Sequence, residues 1–199
     1  MIYGRHSHAV STGARFEVEA DGVGVASRWL VNAAGAGAVA AWFGEHAPVS
    51  PLTPNMLVTE PLPYFISRSI GVRGGDIYVR QIRRGNVIFG GGRGWGDAER
   101  SLARPKAEES RSGMIRVLDI VPTLARAQVI RTWSGMDGQM PDHIPVLGFS
   151  STTPQLVHAF GFSGHGFQLG PVVGLIIAEL ITKGEAAPPI APLTIQRFG

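Results

Sequence analysis

The run Gly161-Phe162-Ser163-Gly164-His165-Gly166-Phe167 is the part of this sequence whose residue types and spacing most favour chemistry. Glycines at 161, 164 and 166 let backbone N–H groups approach a ligand with no Cβ in the way. The apolar segment after it, Pro171 to Lys183, ends at Gly184 and carries Val172, Val173, Ile176, Ile177, Leu180 and Ile181 on one stripe, as a helix does. A helix N-terminus aimed at the loop stabilises partial negative charge there by roughly 0.3–2 kcal/mol. A flat ligand that gains negative charge when reduced suits such a place. The alternative is a strand-to-helix turn that uses its glycines for packing alone.

A second candidate lies upstream, where Val31-Asn32-Ala33-Ala34-Gly35 leads into a small-residue helix expected over Ala36 to Phe43. Gly35-Ala36-Gly37-Ala38-Val39-Ala40 satisfies G-x-G-x-x-A, which in isolation reads as an NAD-binding Rossmann turn. That fold also needs a helix of fair length, a second strand and an acidic ribose ligand about twenty residues on. Here the helix stops at Gly44, and Glu60 falls in a proline-rich stretch. His165 tempts as a base or a cofactor attachment point, but between two glycines it reads as a hydrogen-bonding and packing residue. Apart from the pair His6-x-His8 near the terminus, the histidines lack metal-ligand spacing, so no metal is expected.

These loops need elements to hold them. Arg15 to Ala20 and Gly24 to Asn32 read as strands of a hairpin turning at Asp21-Gly22. Prolines at 48, 51, 54, 61 and 63 make the next stretch an extended crossover between substructures. Ile77 to Ile82 and Val87 to Gly91 form a second predicted hairpin, and Pro105 to Val121 a helix stopped by Pro122. Gln128 to Ser134 and Leu156 to Phe160 complete the strands. Antiparallel strands covered by a helix are the expected outcome.

Composition narrows the function class. With 44% hydrophobic and 17% charged residues, the chain is an ordinary globular protein, and its net charge of +3 is dispersed without a basic stripe for nucleic acid. The absence of cysteine excludes disulfides, thiolate sites and a thioether-linked cofactor. The N-terminus has no secretory pattern, and the apolar run from Val172 to Ile181 is too short for a bilayer, so no transmembrane segment and a cytoplasmic location are expected.

The run Gly161 to Pro171, then Gly174, Ala178, Glu179 and Leu180, resembles the flavin-side signature of the D-amino-acid-oxidase superfamily of FAD-dependent enzymes, which includes glycine oxidase and the sarcosine and opine oxidase subunits. Arg131-Thr132-Trp133-Ser134-Gly135, Pro141 to Gly148, Val31 to Gly35 and the closing Gln196-Arg197-Phe198 resemble the same family, in its order. The resemblance implies an α+β chain: an incomplete FAD-binding domain (residues 1–47 and 135–199) with an antiparallel substrate-binding domain inserted (48–134). It implies that Ala33, Ala34 and Gly35 approach the FAD diphosphate, and that Gly161, Phe162, Ser163, Gly164, His165, Gly166, Phe167 and Gln168 lie along the flavin.

Tyr78 and Arg80, with Gln81 after them, are the substrate-contact candidates, against the alternative of a solvated sheet face. Family members that take free amino acids usually carry arginine after the Trp-x-Gly-hydrophobe run; here Asp137 stands there, which points to a secondary amine of the sarcosine, opine or hydroxyproline type. The family's N-terminal G-x-G-x-x-G is not found in the first thirty residues, so an N-terminal half or partner subunit is expected to complete the enzyme, and FAD is not expected to be retained without it. A non-catalytic remnant or interaction module of the same fold is the alternative.

Overall fold

The computed structural model describes residues 7–11, 15–36, 39–73, 77–98, 100 and 102–199. The chain divides into two compact units, Met1–Ser50 with Gly138–Gly199, and Pro51–Asp137.

The first unit opens with β1 (Ser7–Ser11), β2 (Phe16–Ala20) and β3 (Val23–Ser27), an antiparallel meander whose β2–β3 turn places Asp21 and Gly22 at positive φ. The strand expected over Gly24 to Asn32 is broken at Arg28-Trp29. Its second part, β4 (Leu30–Asn32), joins a different sheet. A 3-10 turn, Val39–Phe43, stands where an α-helix is expected from residue 36, with residues 37 and 38 outside the described set. β5 (Ser50–Leu52) then leads out of the unit.

In the second unit, β6 (Pro54–Pro61), β7 (Ile70–Gly71), β8 (Ile77–Gln81) and β9 (Asn86–Arg93) form most of one antiparallel sheet. A short hairpin of β10 (Trp95–Asp97) and β11 (Leu102–Arg104) leads to α1 (Ala107–Ile120), and β12 (Val129–Ser134) returns to the sheet edge, giving the order β12-β6-β9-β8-β7. The stretch expected to be a proline-rich crossover is thus largely an eight-residue internal strand. Its prolines stand at its two ends, where a missing N–H does least harm. Asn55, Leu57 and Thr59 are buried on one side of β6 while Pro54, Met56, Val58 and Glu60 are half-buried, an alternation that defines the core face.

That face is covered by α1, with Leu57, Ile77, Val79, Val87, Phe89, Val117 and Leu124 packed together. The helix lies so close to β9 that a Cβ on Gly91 would come within 2.6 Å of Gly113 Cα. Asn55 fixes the helix start from the sheet, its Nδ2 donating to Lys106 O at 3.0 Å and its Oδ1 accepting from Lys106 N at 3.4 Å.

Back in the first unit, β13 (Asp137–Gln139) pairs with β5, and β14 (Val146–Phe149) pairs antiparallel with β15 (Leu156–Phe160). β15 runs parallel to β4, with Val157 opposite Val31. Every residue of β15 is buried, as befits a strand covered on both faces. α2 (Gly166–Lys183) packs Val173, Ile176 and Leu180 onto Leu147, Val157 and Ala159. It begins five residues before the expected Pro171 and ends, as expected, at Gly184 in the left-handed conformation. At 18 residues and a mean hydropathy of 1.3 the whole helix, longer than the apolar run Val172 to Ile181 within it, is long and apolar enough to cross a membrane by length and composition alone. Its inner face is part of the unit's core.

Candidate functional site

The glycine loop is built by the exit of β15. Gly161 has φ +72°, and a Cβ there would lie 2.5 Å from Met140 Sδ, so the chain needs glycine twice over. Ser163 adopts φ +51°, a conformation disfavoured for a side chain, and is held in it from both ends. Its N–H donates to Gly138 O at 2.9 Å, and its Oγ accepts from Met140 N at 3.0 Å while lying 3.2 Å from Gly161 O. Gly164, at φ +90°, turns the chain into α2, where His165 is the N-cap residue but supplies no side-chain cap. The first N–H groups of a helix have no intrahelical partner, so those of Gly166, Phe167 and Gln168 form an uncapped, positive helix end. Phe167 is 91% exposed, and the His165 and Gln168 side chains are exposed beside it.

The upstream turn is held by a buried relay. Asn32 Oδ1 accepts from Ala34 N at 3.2 Å, which fixes which end of the amide is oxygen. Asn32 Nδ2 therefore donates to His158 Nδ1 at 3.1 Å, and His158 Nε2–H donates to Glu45 Oε2 at 2.7 Å. Glu45 also accepts from Ser150 Oγ, from Ser151 N at 2.7 Å and from Ser151 Oγ at 2.8 Å. Burial pushes the Glu45 carboxyl up, but the hydrogen bonds from His158, Ser150 and Ser151 outweigh it and leave the group below its ordinary value. Gly35 comes next, at φ +63°.

Gly138 joins the two turns. A Cβ on it would lie 2.9 Å from Gly35 O, and its own carbonyl receives the Ser163 N–H. Residues 33–35 and 161–168, two separate candidates in the sequence, are thereby brought to one side of the first unit around a glycine that sequence reasoning does not single out. It misses the relay too; the one available signal is a histidine inside the apolar run Leu156 to Phe160.

In the second unit, the sheet face opposite α1 carries Tyr78 and Arg80, both half-buried, between the core residues Ile77, Val79 and Gln81. Cross-strand register places Tyr78 in a row with Gly90, Met56 and Trp133, and Arg80 in a row with Ile88, Val58 and Arg131. Arg131 stacks on Trp133, its Cζ 5.9 Å from the ring centroid. A cavity of about 310 Å³ opens on this face, lined in part by Val58, Ile88, Arg84, Arg131 and Trp133. Gln81 points the other way. Its Oε1 accepts from Phe65 N and Ile66 N, and its Nε2 donates to Gly85 O and Pro63 O, so its amide is committed to holding backbone.

Among the described residues, no group of three histidine or carboxylate side chains is placed to hold a metal. His6 and the His8 side chain lie outside the described set. Of the G-x-G-x-x-A run, Gly37 and Ala38 are likewise outside it. The element after them is a five-residue 3-10 turn rather than the α-helix that a dinucleotide fingerprint requires.

A parallel β15–β4 pair with a glycine turn at each strand end leads into a helix whose N-terminus has no side-chain cap, in an α+β fold with an antiparallel sheet unit inserted in the sequence. Residues 3–180 match the family of FAD dependent oxidoreductases, and the chain belongs to that family. It is 33% identical over 82 residues to glycine oxidase of Geobacillus kaustophilus, covering 41% of this chain and 22% of the relative. Against sarcosine oxidase subunit beta of an Arthrobacter species it is 30% identical over 128 residues, 61% of this chain and 29% of that protein. The structure of L-proline dehydrogenase from P. horikoshii superimposes with a TM-score of 0.80 at 27% identity, over all of this chain and 53% of that one. The chain therefore spans less than a third of these curated relatives in alignment and about half of the solved structure.

Proposed function

We propose that this chain is the C-terminal portion of an FAD-dependent oxidoreductase that oxidises the C–N bond of an amino acid or secondary amine. The observation that carries the reading is the meeting of the Ala33–Gly35 turn and the Ser163–Gln168 loop around Gly138, next to the uncapped N-terminus of α2. The residues fit the cofactor. Ala33, Ala34 and Gly35 offer backbone without bulky side chains to a diphosphate, and Gly161 to Gln168 offer N–H groups and the positive end of α2 to the anionic edge of a reduced ring. FAD, when bound, supplies the hydride-accepting chemistry. The protein's task is orientation: Ser163, clamped by Gly138 and Met140, keeps the loop in its strained conformation before any ligand arrives.

For the substrate, Asp137 standing where an arginine would bind a free amino acid supports a secondary amine of the sarcosine, opine or hydroxyproline type, and Tyr78 and Arg80 are its contacts. An N-terminal half, or a partner subunit, completes the FAD site. The outer face of α2, with Phe167, Val172 and Leu175 exposed, supports this, and these 199 residues alone hold FAD weakly or not at all. The test is turnover with that half supplied: N-methyl amino acids reduce the flavin, and simple D-amino acids do so far more slowly. Turnover of a simple D-amino acid with none of any N-alkyl amino acid overturns the substrate assignment.

A further inference from the structure

Arg80 differs from the other polar groups of its sheet face. Its Nε is sealed from solvent and has no hydrogen-bond partner, the one buried side-chain nitrogen or oxygen so placed among the described residues. Among the described residues the other buried side-chain nitrogens and oxygens have partners, even crowded ones such as those of Gln81 and Glu45. A guanidinium N–H buried without an acceptor is unfavourable; the side chain as a whole is only half-buried, so an acceptor arriving with a ligand meets the outer part of the guanidinium rather than the sealed Nε.

The chemistry of that acceptor is set by the donor. A guanidinium offers N–H groups in a planar fork and accepts nothing, so its complement is an oxyanion, most simply a carboxylate held by two parallel hydrogen bonds. The surroundings fit a small organic acid. Arg80 has Ile88 as its cross-strand neighbour, with Val58 and then Arg131 further along the row, and Tyr78 precedes it on the same face. None of the ion pairs among the described residues involves Arg80.

We propose that Arg80 recognises the substrate carboxylate, on a strand face that points away from α1, and so performs the task that Asp137 cannot. The identification of the anion as substrate rests on the amine-oxidising reading; the binding itself needs no flavin. Specificity then comes from β8 rather than from the segment after Trp133. It selects acids whose amine is substituted no more heavily than the apolar row beside Arg80 can accept.

The experiment is a titration of the full chain, 15N-labelled at arginine, with pyrrole-2-carboxylate and separately with pyrrole-2-carboxamide, which has nearly the same shape without the charge. The Nε–H resonance of Arg80, assigned by its disappearance in R80K, is expected to shift with the carboxylate and not with the carboxamide. R80M is expected to weaken the carboxylate about tenfold or more, R80K by less, and R131M only slightly. Equal shifts with both compounds, no shift with the carboxylate, or unchanged affinity in both R80K and R80M would overturn the proposal. Should the titration succeed while no amine reduces the flavin of the completed enzyme, the anion site stands and the amine-oxidising reading falls.

Discussion

Glu45 and His158 lie 113 positions apart in sequence and touch no part of the proposed ligand, yet they set the position of Asn32 and through it the Ala34 N–H. Removing the carboxylate leaves His158 Nε2–H buried without an acceptor and frees the 150–151 turn, so Glu45→Ala is expected to lower stability by about 1–3 kcal/mol in urea unfolding. The pH dependence has a definite sign. Because the folded-state value of Glu45 lies below its ordinary 4.5, its contribution is complete above that pH and is lost as the pH falls through the lowered value. The stability gap between the wild type and Glu45→Gln should therefore narrow below pH 4.5. A gap that is constant or widens toward acid pH contradicts this relay. Gly161 makes a second residue-scale case. Gly161→Ala is expected to cost about 1–3 kcal/mol through its positive φ and the collision with Met140. The double variant with Met140→Ala should recover the collision part alone, which a double-mutant cycle measures.

Helix α1 is seated on its sheet by the Gly91–Gly113 approach, and no rotation of a side chain can relieve a methyl group placed there. Gly91→Ala is expected to destabilise the second unit by about 1–3 kcal/mol, and wild-type stability in that variant contradicts the packing. At this scale much of the fold is legible in the sequence. The β8–β9 hairpin and α1 declare themselves by alternation, turn residues and helical spacing with proline stops, and all lie where these signals put them. Punctuation misleads. Pro171 reads as a helix start, but Ser163 and Gly164 turn the chain early, and Leu169 is drawn against the α2 core, so that the helix gains a turn and carries the proline inside it. Prolines 54 and 61 suggest a crossover, whereas they bound an internal strand whose Leu57 the core requires. The small-residue run after Gly35 has the composition of a helix, and its described part, Val39–Phe43, forms a 3-10 turn. The glycines of the site can be read from sequence because their spacing is local. Gly138 and the Asn32–His158–Glu45 relay cannot, because they are adjacent only after β15 has paired with β4.

At the scale of the molecule, the chain covers about half of the L-proline dehydrogenase structure it matches, and α2 presents Phe167, Val172 and Leu175 to solvent, both of which fit the proposed N-terminal half. The central claim, that the loop before α2 and the turn after β4 serve a flavin, is tested most directly by visible absorption. The chain is mixed with FAD and with an N-terminal dinucleotide-binding half of the family supplied as a separate polypeptide, desalted, and treated anaerobically with an N-methyl amino acid. A flavin band is expected that survives desalting only when both halves are present and that bleaches on addition of the amine. A mixture that keeps no flavin, or a retained band that no amine or amino acid bleaches, would contradict the central claim.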